Sequence, residues 1–98
     1  MFVITFEVTP SSAHPQRDEI GGAFVNCWMK RNSLDDAIAD AKALIVEADF
    51  TVDEPDEIFE VMREDYDEGS AELTHFEQAL IDNEVLVFHT FPVVDESE

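Results

Sequence analysis

Apolar residues recur along this chain with two periods. Residues 2–9 alternate: Phe2, Ile4, Phe6 and Val8 share one side, Val3, Thr5, Glu7 and Thr9 the other. That predicts a strand, which Pro10 stops. Residues 10–20 hold two prolines and several polar residues, and read as a mobile loop. After Gly21-Gly22, residues 23–30 alternate again, with Ala23, Val25, Cys27 and Met29 opposite Phe24, Asn26 and Trp28. Bulk on both sides of this strand predicts cover on both faces over part of its length. The period then changes. Leu34, Ala37, Ile38, Ala41, Leu44, Ile45 and Ala48 recur at spacings of three and four, so residues 33–48 form an amphipathic helix. Ser33 is its expected N-cap, and Asp35 and Asp36 stand in the first turn, where the helix dipole favours them.

Residues 50–53 and 58–63 read as extended, separated by a turn or bend at Asp53-Glu54-Pro55-Asp56. They are either one bent strand or a hairpin of two short ones. An acidic loop at 64–69 leads to a second helix over 70–82, with Leu73, Phe76, Ala79 and Leu80 on one side. Residues 85–91 are apolar on both faces apart from His89 and Thr90, which suits a central strand. Pro92 ends it, and residues 92–98 are expected to fray. If Pro55 turns a hairpin, residues 23–91 spell β-α-β-β-α-β. The expected fold is therefore α+β: a ferredoxin-like two-layer sandwich, with two helices on one face of a four- or five-stranded, mostly antiparallel sheet. Residues 1–98 read as a single domain, with no internal repeat and no linker.

Composition adds charge to this picture. Twenty-four acidic residues face five basic ones, for a net charge of -19 and a pI near 4.1. Such a chain is not expected to grip nucleic-acid phosphates or an anionic membrane surface. No apolar run reaches the ~20 residues that span a bilayer, and residues 1–9 lack the basic start of a secretory signal. A single cysteine excludes an internal disulfide and fits a reducing, cytoplasmic setting.

Candidate chemistry is sparse. Cys27, His14, His75 and His89 have no metal-ligand spacing, so no metal or organic cofactor is expected. Cys27 reads as a small core residue, His89 as a structural histidine, and His14 and His75 as facing solvent. Residues 64–69 resemble an ion loop, but His75 falls where an EF-hand needs its bidentate acid. Glu7 and Glu60, the acids inside apolar strands, read as solvated. The serines occupy turn and cap positions, and Gly21-Gly22 precedes a strand with no basic residue beside it, unlike a phosphate loop. No catalytic residue is assigned.

What remains is surface. Phe24, Asn26 and Trp28 share one strand face, and that face is expected either to be buried or to meet a partner or second copy. Two acidic runs, Asp53, Glu54, Asp56 and Glu57, then Glu64, Asp65, Asp67 and Glu68, complete the candidate interaction surface. The acidity admits three explanations: adaptation to high salt, a basic protein partner, or solubility alone.

The run CWMKRNSLDDAIADAKALI, residues 27–45, resembles the strand-to-helix corner of HicB-type antitoxins. Those carry a Cys near a strand end, as Cys27 does here, then a helix opening like Ser33-Leu34-Asp35-Asp36-Ala37. The second helix and last strand depart from them, standing where such antitoxins place a DNA-binding module. The resemblance implies an antitoxin-like role against a basic partner. From the residues themselves, the expectation is a non-enzymatic protein-binding module, with self-association through a sheet face. The alternatives are an acidic inhibitor or nucleic-acid mimic, and a small enzyme or ligand-binding domain whose site is hidden.

Overall fold

A computed structural model describes residues 1–93; Val94 to Glu98, most of the tail expected to fray, lie outside the described residues. The chain opens with a long antiparallel pair, β1 (Phe2–Pro10) and β2 (Ile20–Met29), in which Phe2 lies opposite Met29 and Val8 opposite Ala23. The segment between them folds into successive turns: His14 N–H donates to Ser11 C=O at 3.0 Å and Glu19 N–H to Gln16 C=O at 2.9 Å. Gly21 and Gly22 lie inside β2 rather than before it.

Helix α1 (Leu34–Glu47) starts where expected. The Ser33 hydroxyl accepts from Asp36 N–H at 3.2 Å, satisfying one of the free donors of the first turn. Asp49, at φ 66°, then turns the chain into β3 (Phe50–Val52). Strands β3 and β4 (Glu57–Glu60) both pair antiparallel with β1. From Val52 opposite Val8 to Glu57 opposite Thr5, the outer strand gains two residues on β1. They bulge out, and an even insertion keeps the side-chain alternation in phase. This is one bent strand. The hairpin, and with it the β-α-β-β-α-β order of a ferredoxin-like fold, is not formed.

A single 3-10 turn, η1 (Arg63–Asp65), interrupts the acidic loop, and Met62 N–H donates to the Asp65 carboxylate at 2.8 Å. Helix α2 (Ala71–Asp82) is capped by the Ser70 hydroxyl, which accepts from Leu73 N–H at 3.2 Å. Asn83, left-handed at φ 73°, ends it and feeds β5 (Glu84–Pro92). The sheet order is β3-β1-β2-β5, with β4 continuing β3 along β1, and each of these ladders is antiparallel.

Two further expectations are corrected. The helices do not share a face. Ala37, Ala41 and Ile45 of α1 pack with Ile4, Phe6, Val8, Val25, Cys27 and Met29. Phe76 and Ala79 of α2 pack with Trp28, Val3, Val85 and Val87. Ile4 and Val3 are consecutive in β1, so they point to opposite sides of the sheet, and each helix covers its own side. Strand β5 is also not central. It is the edge beyond β2, and Val85 to Phe88 are only half-buried. Periodicity reports that a strand has two apolar faces; it is silent on what covers them.

Arg31 ties the layers together at one end. Its guanidinium reaches Asp40 of α1 and Glu84 of β5, both at 2.7 Å, and donates to Asn83 C=O at 2.7 Å. The bonds to the Asp40 and Glu84 carboxylates raise its pKa further. Among the described residues, no helix is long and apolar enough to cross a membrane.

Candidate functional site

The two sheet faces are finished differently. On the α1 face, Ile4, Phe6, Val25, Cys27 and Met29 are fully buried. Burial there pushes the Cys27 thiol pKa up to about 12, because the thiolate would be stranded without water. Cys27 is thus the inert core residue expected.

The α2 face is covered over only part of its length. The strand registers set out its rows: Phe59, Val3, Trp28 and Val85; then Glu57, Thr5, Asn26 and Val87; then Glu7, Phe24 and His89. Helix α2 lies along β5 and β2, over Trp28, which is only 4% exposed. Beside it opens a cleft of about 280 Å3. Val3, Thr5, Asn26, Val87 and His89 line its sheet side; Phe59 comes from the edge strand, Tyr66 from the loop after η1, and Glu72 and His75 from the start of α2.

Within the cleft the polar groups are matched. The Trp28 indole N–H donates to the Tyr66 hydroxyl at 3.2 Å, and the Thr5 hydroxyl donates to the Asn26 side-chain oxygen at 3.1 Å. The His75 ring lies 4.8 Å from the indole of Trp28. His75 is therefore half-buried rather than solvent-facing. His14 is half-buried as well, its ring 4.9 Å from Phe50. The aromatic character continues past the cleft: Phe24, 44% exposed, and Phe91 stand 5.5 Å apart. Gly22 makes room for this pair, since a Cβ there would meet the Phe91 ring at 2.5 Å.

The charge around the cleft has one sign. Glu72 lines it, Glu57 stands beside Thr5, and Glu7 beside Phe24; all three are exposed. None of the five basic residues lines it. Arg63, near Tyr66 in sequence, pairs with Glu77 at 3.5 Å. A cleft with aromatic walls and carboxylates at its margin suits a cation carried on an apolar stem, such as a lysine or arginine side chain. Among the described residues, no group of three or more His, Cys, Asp and Glu side chains is placed to hold a metal ion.

The sequence-derived candidates divide. Asn26 and Trp28 line the cleft, and Phe24 lies next along the strand. Asp53, Glu54, Asp56 and Glu57 sit exposed at the break between β3 and β4, where Asp56 N–H donates to Thr5 C=O at 2.8 Å and Glu54 pairs with Lys42 at 3.7 Å. Glu64, Asp65, Asp67 and Glu68 are exposed around Tyr66. The cleft also uses residues that sequence reasoning passed over, Val3, Thr5, Phe59, Tyr66, Glu72 and Val87, together with two that it weighed only as metal ligands, His75 and His89; His89 is exposed rather than the structural histidine expected. The available signals were an aromatic inside an acidic loop, Tyr66, and the phase that sets Phe59 beside Val3. Compared with known proteins, the chain matches no family model, no curated protein and no solved structure, so the likeness of residues 27–45 to the HicB corner rests on those residues alone.

Proposed function

We propose that this chain is a non-enzymatic protein-binding module that takes a basic segment of its partner in the cleft beside α2. The observation that carries this reading is the cleft itself: an aromatic, half-open recess on the uncovered part of one sheet face, bordered by carboxylates and by none of the chain's cations. Aromatic anchors in a pocket supply most binding energy at protein interfaces, and the surrounding charge accelerates encounter with an oppositely charged partner.

The test begins with a partner captured from the protein's own cells and its affinity for purified variants. Phe59→Ala and Glu72→Gln should each weaken binding by about tenfold or more. Val46→Ala, at a residue 57% exposed on α1 across the sheet, should leave it unchanged. Added salt should weaken the complex. A partner indifferent to both cleft substitutions would sink the reading.

The net charge of -19 favours a second reading of the same surface, an inhibitor that occupies the basic site of a toxin or nucleic-acid enzyme. Assay of the captured partner separates the two: loss of its activity on binding points to the inhibitor, retention to an adaptor.

A further inference from the structure

The two edges of the sheet differ in a way that points to a second copy of this chain. One edge is short, broken and charged: β3 and β4 are separated by the Asp53–Asp56 bend, and β4 carries Glu57 and Glu60. These are the features by which sheet edges resist pairing with another chain. The other edge, β5, is a nine-residue strand. From Val85 to Pro92 it carries no Asp, Glu, Lys or Arg. Among the described residues it pairs only with β2.

The backbone of β5 can be assigned group by group. Met29 lies opposite Glu84, and Lys30 N–H donates to Asn83 C=O at 2.9 Å. In an antiparallel ladder this makes Met29 and Glu84 a non-hydrogen-bonded pair. Residues 85, 87, 89 and 91 therefore turn their N–H and C=O groups toward β2. Glu84, Leu86, Phe88 and Thr90 turn theirs outward, and Pro92, next in that series, has no N–H to offer. The outward groups are centred on Val87.

We infer that β5 pairs antiparallel with β5 of a second copy about a twofold axis at Val87, joining two sheets into one. Each outward group then meets its complement: Leu86 faces Phe88 of the second copy, and Glu84 faces Thr90. Leu86 and Phe88 pack against the core on the α1 face, the Phe88 ring 5.4 Å from that of Phe50, yet both remain only half-buried because they stand on the edge strand. The pairing covers the part of these side chains that the core leaves exposed and gives β5 a strand neighbour on each side, as its sequence pattern calls for. Charge selects the occupant. A basic segment finds no carboxylate along Val85–Pro92 to hold, while two copies of a chain carrying -19 meet here along strands without charged side chains between those residues. The remaining charge repels at longer range, so salt favours the dimer.

Sedimentation equilibrium of the full chain tests this from micromolar to millimolar concentration. A dimer should form, with a dissociation constant that falls by about tenfold or more between roughly 0.05 and 0.5 M salt. Thr90→Pro removes an outward donor and no bond to β2; Thr90→Glu sets a carboxylate against Glu84 of the second copy. Either should weaken the dimer by about tenfold or more with the fold intact by circular dichroism. Val87→Cys should form an intermolecular disulfide on oxidation, since facing Cα atoms at the axis fall within disulfide reach. A wild-type chain that stays monomeric at high salt, as it would if the edge served another protein's strand, overturns the inference. So does a dimer that both Thr90 variants leave unchanged, or a Val87→Cys chain that does not cross-link.

Discussion

The sheet is built from one set of strands but carries two unlike faces. Under α1, alternate residues through the middle of β1 and β2 are apolar and fully buried: Ile4, Phe6, Val25 and Cys27. Under α2, the same strands present Val3, Thr5 and Glu7 beside Trp28, Asn26 and Phe24, a gradient from buried to exposed. The first face makes the fold stable, because continuous dry packing removes the most apolar area from water. The second leaves room for something else. Its polar groups pair with one another, Thr5 with Asn26 and Trp28 with Tyr66, so it tolerates water while keeping aromatic surface within reach.

The contrast is sharpest in truncations. Phe6→Ala, at a fully buried position on the α1 face, should cost about 3–5 kcal/mol in denaturant unfolding. Phe24→Ala, 44% exposed on the other face, should cost less than about 1 kcal/mol. Equal losses would erase the distinction between a structural and an open face.

Alkaline pH probes the closed face alone. The Cys27 thiol ionises at about 12 in the fold against an ordinary value of 9.0. Between those values the unfolded chain has lost the proton and the native chain keeps it. The thiol's contribution is therefore intact below pH 9.0 and is lost as pH rises toward about 12. The slope is about 1.4 kcal/mol per pH unit. Cys27→Ala should remove that part of the slope in a pH series of unfolding curves. A wild type and variant with parallel slopes would place the thiol in contact with water.

Removing a hydroxyl probes the open face. Tyr66→Phe deprives the Trp28 indole of its acceptor and should destabilise by about 1 kcal/mol. Because the indole borders the cleft, Trp28 fluorescence should respond to the change. Unaltered emission and stability would mean that Tyr66 does not close over Trp28.

Salt acts on the whole molecule and least on any one contact. Screening of a net charge of -19 should raise the melting temperature by a few degrees between roughly 0.05 and 0.5 M. The same salt should weaken a basic partner held at the cleft. A partner affinity that does not respond would detach the acidic surface from binding.

Much of this was legible in the chain. Ser33 and Ser70 each precede an apolar stripe at helical spacing, and both cap the helices they announce. The alternation in residues 2–9 and 23–30 defines two strands and the side each residue faces, and Phe24, Asn26 and Trp28 do lie together. Bulk on both sides of the second strand announced cover on both faces. Patterns of this kind are local: they depend on the pitch of a helix or the pleat of a strand, which any stretch of chain carries with it.

The arrangement of these parts was not local. Nothing within residues 50–63 distinguishes a bent strand from a hairpin, because the choice depends on whether β1 lies alongside to accept both halves. Nothing within residues 85–91 says that an apolar strand will be an edge, because position in a sheet is a property of its neighbours. The cleft is the same case. Phe59, Tyr66, Glu72 and His75 come from β4, a loop and α2, and meet Trp28 only after α2 has crossed to the side of the sheet that α1 leaves free. Residue type and spacing determine elements, caps and faces. Which face each helix covers, and how much it leaves open, is decided by long-range packing among elements already formed.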